Sequence, residues 1–494
     1  MKRQFMMGIV ALTLVLISAQ PAGSQARAAT DPSAGKAGRL IDRSPFAGSQ
    51  ARAATDPSGA IVAAPQGFGD RQNSTPWAMT WWKGQLYVGT DRAMACVQDA
   101  TQVYYKLPGA VYPDPDPDIY CTPSPDDLPL QAEIWRWTPG PNTWERVFQS
   151  PNDVPIPNAP GKFVARDVGF RTITAFTEAD GTEALYIGGL SSRSFHGKKM
   201  PPPRILRSTD GQTWNPIPQD SGTFLGNTFA VGFRSLTVYN GQMYVVASNG
   251  LTGQGPVYVA SNPAGGDNNF RQITPVGMPS IYEMASFNGF LYLGQGDVTP
   301  FTVWKMTNTK PYTFTPVISN GAYQNPADTT VVSMQVFNNM LYIGTAGVAD
   351  VYRIHTNDSW DLVVGNSRTN PSNSQLLTSV SGLGDGFNWS WNKHIWRMSV
   401  YNNQLYVGTF DTSTQFRNDP GNPYQQPSFQ AQLGFDLYST ADGVHYLPVT
   451  TTGFGDKFSF GVRNIVATPN GLFIGGANPY YGLQIWQIPA GGTQ

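Results

Sequence analysis

Four arginines stand where they could act together. Arg171, Arg234 and Arg463 occupy one position of a segment that recurs along the chain, and Arg397 stands at the next position of another copy. A guanidinium carries five N–H donors in a rigid fork that matches a carboxylate, sulfate or phosphate. Several around one axis would form an anion site, with Trp77 and Trp396, at the same position in two further copies, beside it. The bland alternative is that each arginine ties neighbouring sheets by binding a loop carbonyl or carboxylate. The same two positions hold Tyr282 and Glu283, and DGFNWSWNKHIW (385–396) brings His394 among three tryptophans. His394 is the acid–base candidate, with Glu283 or Asp411 as partner and Tyr282 as a further candidate, although no triad spacing supports the set. The tryptophan-rich stretch reads either as a sugar-stacking platform or as a packed lid. Loops after the second strands of the repeats add Asp91, Arg92, Ser192, Arg193, His196, Asn249, Asp297, Asp411 and Asn478. Of these, the basic loop LSSRSFHGKK either faces an anion or is merely solvated.

A second stretch with chemical potential is LRSTDGQTW (206–214). It reads as a nucleophile with a helper, a metal loop or a tight turn, and only its setting decides. That setting is a repeat. The segments WAMTWWKGQLYVGT, FRTITAFTEADGTEALYIGG, FRSLTVYNGQMYVVAS, YEMASFNGFLYLGQ, VSMQVFNNMLYIGT, WRMSVYNNQLYVGT and VRNIVATPNGLFIGG share one design. Apolar and small residues alternate at period two, a turn follows, most often Asn-Gly, Asn-Asn or Lys-Gly, and an aromatic anchors the second strand. The anchors are Tyr87, Tyr186, Tyr244, Tyr292, Tyr342, Tyr406 and Phe473. A third strand (EIWRWT, RILRST, PVYVAS, TVWKMT, VYRIHT, FDLYST, LQIWQI) follows, and a fourth opens at Trp144, Trp214, Phe270, Phe314, Trp360 and Tyr446. Four antiparallel strands about every 50 residues, with no helical period, predict an all-β chain: a seven-bladed β-propeller of four-stranded antiparallel blades. The seventh copy lacks a fourth strand. GAIVAAP (59–65) fits the gap, so an N-terminal strand is expected to close the ring and hide its edges.

The address of RSTDGQTW is then the corner between strands three and four of blade 2. It resembles the Asp-box of sialidase-type propeller repeats, a Ser-x-Asp-x-Gly-x-Thr-Trp hairpin, with one residue fewer between Asp210 and Gly211. STADGVHY (439–446) is a degenerate second copy. The resemblance implies structural roles for Ser208 and Asp210: the carboxylate accepts backbone hydrogen bonds and the aromatic packs between blades. Residues 59–494 as a whole resemble Asp-box-like and Kelch-like seven-bladed propellers, and exported bacterial propeller proteins without an assigned activity. This likeness is architectural and carries no catalytic residue over.

Composition narrows the partners. The 494-residue chain has a formal net charge of -1 and 13% charged residues, against a usual ~25%. No basic excess speaks for nucleic acid. Lys2 and Arg3 precede an apolar run ending at Ala19, too short to span a bilayer, and an ARA site ends at Ala28. Residues 1–28 read as a signal peptide, so a secreted or periplasmic protein is expected, with no membrane span in the mature chain. Residues 29–58, which repeat AGSQARAATDPS, read as a disordered linker. In an exported protein Cys96 and Cys121 are expected to form a disulfide. Two cysteines and four histidines give no zinc spacing, so no metal site is assigned, and no cofactor is identified. Calcium is possible at the carboxylate run YPDPDPDIYC (112–121), whose other reading is a stiff insert with its aspartates turned outward. The expected function is binding of an anionic small molecule or glycan by a monomer. The alternatives are a glycan-active enzyme (glycoside hydrolase or uronate lyase) using the same site, and a protein-interaction scaffold.

Overall fold

The computed structural model describes residues 59–219, 225–248, 255–296, 299–324 and 328–491. The expected signal peptide and linker lie outside these residues, as do Asn249 and Asp297. The described chain is mostly antiparallel β-structure, arranged as successive meanders. The first comprises strands Asn73–Trp82, Gln85–Arg92, Glu133–Thr138 and Thr143–Gln149. Later meanders begin with the hairpins Gly169–Thr177/Glu183–Leu190, Gly232–Tyr239/Gln242–Ser248, Ile281–Phe287/Phe290–Gln295, Thr330–Phe337/Met340–Ala346, Asn392–Tyr401/Gln404–Asp411 and Gly461–Thr468/Gly471–Ala477. The Lys83-Gly84, Asn240-Gly241, Asn288-Gly289, Asn338-Asn339 and Asn402-Asn403 turns take positive φ at both central residues, for example 47° and 77° at Lys83-Gly84. Such turns match the twist of the strands they join.

First strands of successive meanders lie side by side, and the first strand of the last lies beside Asn73–Trp82. The repeated glycine of the second strand makes this approach possible. A Cβ on Gly89 would come within 2.8 Å of Phe170, on Gly344 within 2.6 Å of Ile395, on Gly408 within 2.4 Å of Val462, and on Gly475 within 2.7 Å of Pro76. Each contact reaches the first strand of the next meander. Gly408→Ala is therefore expected to cost about 1–3 kcal/mol by overpacking. A urea unfolding midpoint unchanged by the substitution would show that the strands have room to part.

The anchor aromatics are fully buried, Tyr87, Tyr186, Tyr292, Tyr342 and Phe473 at 0% exposure. At the corner of the second meander, Asp210 Oδ1 accepts from the amides of Gln212 and Thr213 at 2.8 and 2.7 Å, and Ser208 Oγ accepts from Gly211 N at 2.8 Å. The same pattern recurs with Thr440, Asp442, Gly443, Val444 and His445. Gly211 has φ 71° and lies against Tyr87, where a Cβ would sit 1.9 Å from the hydroxyl; Gly443 meets Tyr342 in the same way. Trp214 is buried edge-on to Tyr87. These corners lock one meander onto the one before it. Backbone donors hold the Asp210 carboxyl well below the usual range, and the His445 side chain, with two backbone donors, does so for Asp442. Their stabilisation is complete above the ordinary aspartate value, about 4, and is lost as pH falls below it. The double variant Asp210→Asn, Asp442→Asn is expected to flatten the acid limb of a stability–pH curve; an unchanged slope would count against these corners.

The last meander takes its outer strand from the N-terminal side. Ile61 and Val62 pair antiparallel with Gln487 and Trp486, and Ala63 N donates to Ile485 O at 2.8 Å.

Candidate functional site

The aligned position that holds the arginines has a common backbone cause. In all seven first strands the pairing slips by one residue there: between Pro76 and Ala78, Phe170 and Thr172, Phe233 and Leu236, Ile281 and Glu283, Val331 and Ser333, Ile395 and Arg397, and Val462 and Asn464. Trp77, Arg171, Arg234, Tyr282, Val332, Trp396 and Arg463 are thus bulge residues, whose side chains are turned out of the regular pleat. The sequence carries a sign of it. Residues on one face of a strand are two apart, yet Phe170 and Ile173, Phe233 and Leu236, and Val462 and Ile465 are three apart.

The bulges bring the arginines into one buried cluster. Arg171, Arg234 and Arg463 are 8, 4 and 2% exposed. Each lies over an aromatic ring of a neighbouring meander: Arg171 is 4.9 Å from the ring centre of Trp77, Arg234 3.1 Å from Tyr282, and Arg463 5.3 Å from Trp396. Such stacking orients a guanidinium without neutralising it. Among the described residues none of the four arginines forms a carboxylate ion pair. Arg234 Nε donates to Tyr282 O at 3.0 Å and Arg397 Nε to Arg463 O at 3.4 Å, so these two do tie adjacent meanders. Arg171 Nε and both Nε and Nη1 of Arg463 are buried with no partner among the described residues. Burial, reinforced by Arg234 and Arg397, holds Arg463 well below the usual arginine value, and burial brings Arg234 down to about 9. Asp91, 2% exposed, is a countercharge that feels Arg171 and Arg463, with burial pushing its carboxyl up to about 8 against their pull.

The candidate acid–base groups separate. Burial raises the Tyr282 phenol, but Arg234, Arg171 and Arg463 outweigh it and leave it below the ordinary value. Glu283 Oε1 accepts from Ser235 Oγ at 2.7 Å. His394 lies flat on Phe410, ring centres 4.5 Å apart, and its Nδ1 has no partner. Burial, with Arg234, Lys393 and Arg463, pushes it down to about 3, so the imidazole is neutral near pH 7. Among the described residues His394 has no hydrogen bond to Glu283 or Asp411, and Asp411 accepts from Trp389 Nε1 at 2.7 Å. The tryptophan-rich stretch is the packed lid rather than an open platform. Trp389 and Trp391 pack with Phe416, Tyr424 and Phe429, and Trp396 with Phe410 and Phe460. Arg193 of the basic loop is used structurally, donating to Met200 O and Thr228 O at 2.7 and 2.6 Å.

The insertion between the second and third strands of the first meander overlies this region. It runs through helix Met94–Tyr104 and the Pro-Asp stretch, joined by the Cys96–Cys121 disulfide. Its aspartates do not all turn outward. Asp116 grips Arg417 through both oxygens, at 2.6 and 2.9 Å, and Asp118 binds Arg417 and the Tyr481 hydroxyl. Arg417 is 4% exposed, so these carboxylates neutralise a buried cation. Arg417 lies 301 residues from Asp116, and no sequence pattern announces the pair. Among the described residues no group of three or more His, Cys, Asp or Glu side chains is placed to hold a metal ion. No described helix is long and apolar enough to cross a membrane.

No protein-family model matches the sequence, and no curated protein does. Solved structures similar to the chain include PorZ, an essential surface component of the type-IX secretion system of Porphyromonas gingivalis (11% identity, TM-score 0.49, covering 86% of this chain and 48% of that one). Virginiamycin B lyase from Staphylococcus aureus is similar at 8% identity and TM-score 0.44, over 87% of this chain and 99% of that one. The GH74 enzyme of Niastella koreensis is similar at 12% identity and TM-score 0.47, over 88% and 55%. The chain thus spans about half the length of PorZ and of the GH74 enzyme.

Proposed function

We propose that residues 59–494 form an exported seven-bladed propeller, closed by residues 59–65, that binds an anionic ligand at the channel mouth through Arg171, Arg234 and Arg463. The carrying observation is Arg463: a buried guanidinium with two donor nitrogens unpaired and three like charges around it. Burying an unpaired ion costs several kcal/mol, and an anion seated among the arginines would offset that cost. The disulfide and the lack of a described membrane-spanning helix are compatible with export. Titration calorimetry with sulfate, phosphate and glucuronate tests the reading. Binding to the native protein with loss in Arg171→Gln, Arg463→Met is expected; equal binding by both would sink it.

Affinity should also depend on pH. Asp91, at about 8, is largely protonated at neutrality and does not compete; ionised, it would occupy the arginines itself. Ionisation of Asp91 therefore weakens anion binding as pH rises through 8. Asp91→Asn should remove this decline, and a pH-independent affinity of the native protein would contradict it.

The lowered Tyr282 phenol, beside Arg234, favours one further reading, a glycan-active enzyme in which this phenol is the acid–base group. New reducing ends or unsaturated products from acidic polysaccharides, lost in Tyr282→Phe, would establish it.

A further inference from the structure

The anion site of the proposed function is covered, and the cover bears on ligand size. The first-blade insertion touches blades on both sides of its own. Its core, including Cys96, Val97 and Ala100, packs with Leu190 and Phe195 of the second blade and Val231 before the third, and Trp77 packs against this same core. In the other direction Met94 and Ile119 pack against Trp396, Phe410, Phe460 and Tyr480 of the sixth and seventh blades. A segment that packs with blades two, three, six and seven as well as its own lies over that side of the ring. Two of the three stacking aromatics belong to the apolar clusters it helps to form: Trp77 packs against the one and Trp396 is part of the other.

The cover is fastened. Arg417, itself buried, holds Asp116 and Asp118 of the insertion and lies 4.3 Å from the ring centre of Tyr480. Arg71 adds a 2.7 Å bond to Asp118 O and a bond to Tyr480 O. The disulfide ties the two limbs of the insertion together. Charge-assisted and bidentate, with the arginine side buried, the Arg417–Asp116 pair is of the strong kind.

We propose that the ligand of the channel arginines is a small-molecule anion bearing a carboxylate or similar oxyanion, enclosed beneath the cap formed by residues 94–121, and not a segment of an acidic polymer. A polymer would need an open groove with an exit at each end, and the latched cap crosses where the groove would run. The proposal rests on the anion reading but fails separately from it.

The test compares glucuronate with high-molecular-mass polygalacturonate on the full-length, oxidised protein, by calorimetry and thermal shift. Glucuronate is expected to bind and to raise the melting temperature, with both effects lost in Arg463→Met. Polygalacturonate is expected to give no Arg463-dependent signal. Arg417→Gln, which loosens the latch, should speed glucuronate association and release in stopped flow. Should that variant not fold, the native comparison of monomer with polymer decides alone. Arg463-dependent binding of polygalacturonate as tight per site as glucuronate would overturn the enclosed site and leave the anion site standing. No binding of glucuronate, sulfate or phosphate would overturn both.

Discussion

Replacing Arg463 with methionine is expected to raise the stability of the anion-free protein while abolishing anion binding. Most buried arginines behave oppositely, because removing one strands its partner carboxylate. Among the described residues Arg463 has no carboxylate partner; it is 2% exposed and leaves Nε and Nη1 without acceptors there. Arg171, Arg234 and Arg397 add repulsion. Methionine keeps much of the length and flexibility, can stay against Trp396, and removes the charge. Replacing buried ions by apolar residues of similar volume is often stabilising by about 1–4 kcal/mol. Urea unfolding in a buffer free of multivalent anions and carboxylates would read this, and added sulfate or glucuronate should narrow the gap by stabilising only the native protein. A clear loss of stability in Arg463→Met would mean that the arginine is a structural clasp. Sites kept for binding at the expense of stability are where such opposed effects arise.

Shortening the N-terminal side should separate two contributions that one deletion would mix. Removing residues 59–62 is expected to cost little: Ile61 and Val62 are 52 and 63% exposed, and their strand is two residues long. Removing 59–68 is expected to lower the melting temperature strongly. Phe68 is buried and stacked on Trp135 with ring centres 4.5 Å apart, and Ala64 is 4% exposed. Ala63 O accepts from Trp144 Nε1 at 2.7 Å, Ala64 O from Gln484 Nε2 at 3.0 Å, and Gly67 N donates to Leu483 O at 2.7 Å. Truncating one large buried aromatic costs about 3–5 kcal/mol by itself, and here the joint between the last and first meanders is lost with it. Equal melting temperatures for the two truncations would argue against closure at this joint.

Much of the architecture is legible because it is built from local rules. Asn-Gly and Lys-Gly turns select hairpins whatever the remainder of the chain does. The alternation in segments such as WRMSVYNNQLYVGT sets which face of each strand is apolar, and the aromatics at Tyr87 through Phe473 set the register of the copies. The turn at Asp210 and Ser208 is local in the same way, since the hydrogen bonds involved span three residues at most. Cys96 and Cys121 pair as expected, within one insertion.

The candidate site was legible only as a row of residues. From the sequence alone, the arginines, Tyr282 and Glu283 share aligned positions, and the alternatives of anion site and inter-blade tie stand side by side. Tertiary structure decided how each group is used. A one-residue bulge turns a side chain from one face to another, so the aim of Arg171, Arg234 and Arg463 depended on pairing with the second strands. Burial, with Arg234, Lys393 and Arg463, pushes the His394 imidazole down to about 3, and the tryptophans near it pack with Phe416 and Phe429. Asp116 and Asp118, which local backbone preference would send outward, turned to Arg417 because a buried cation brought close by the tertiary fold outweighs the preference of an isolated Pro-Asp stretch. Composition and spacing along the chain determine strands, turns and copies; which charges meet, and which are left unpaired, depends on contacts hundreds of residues apart.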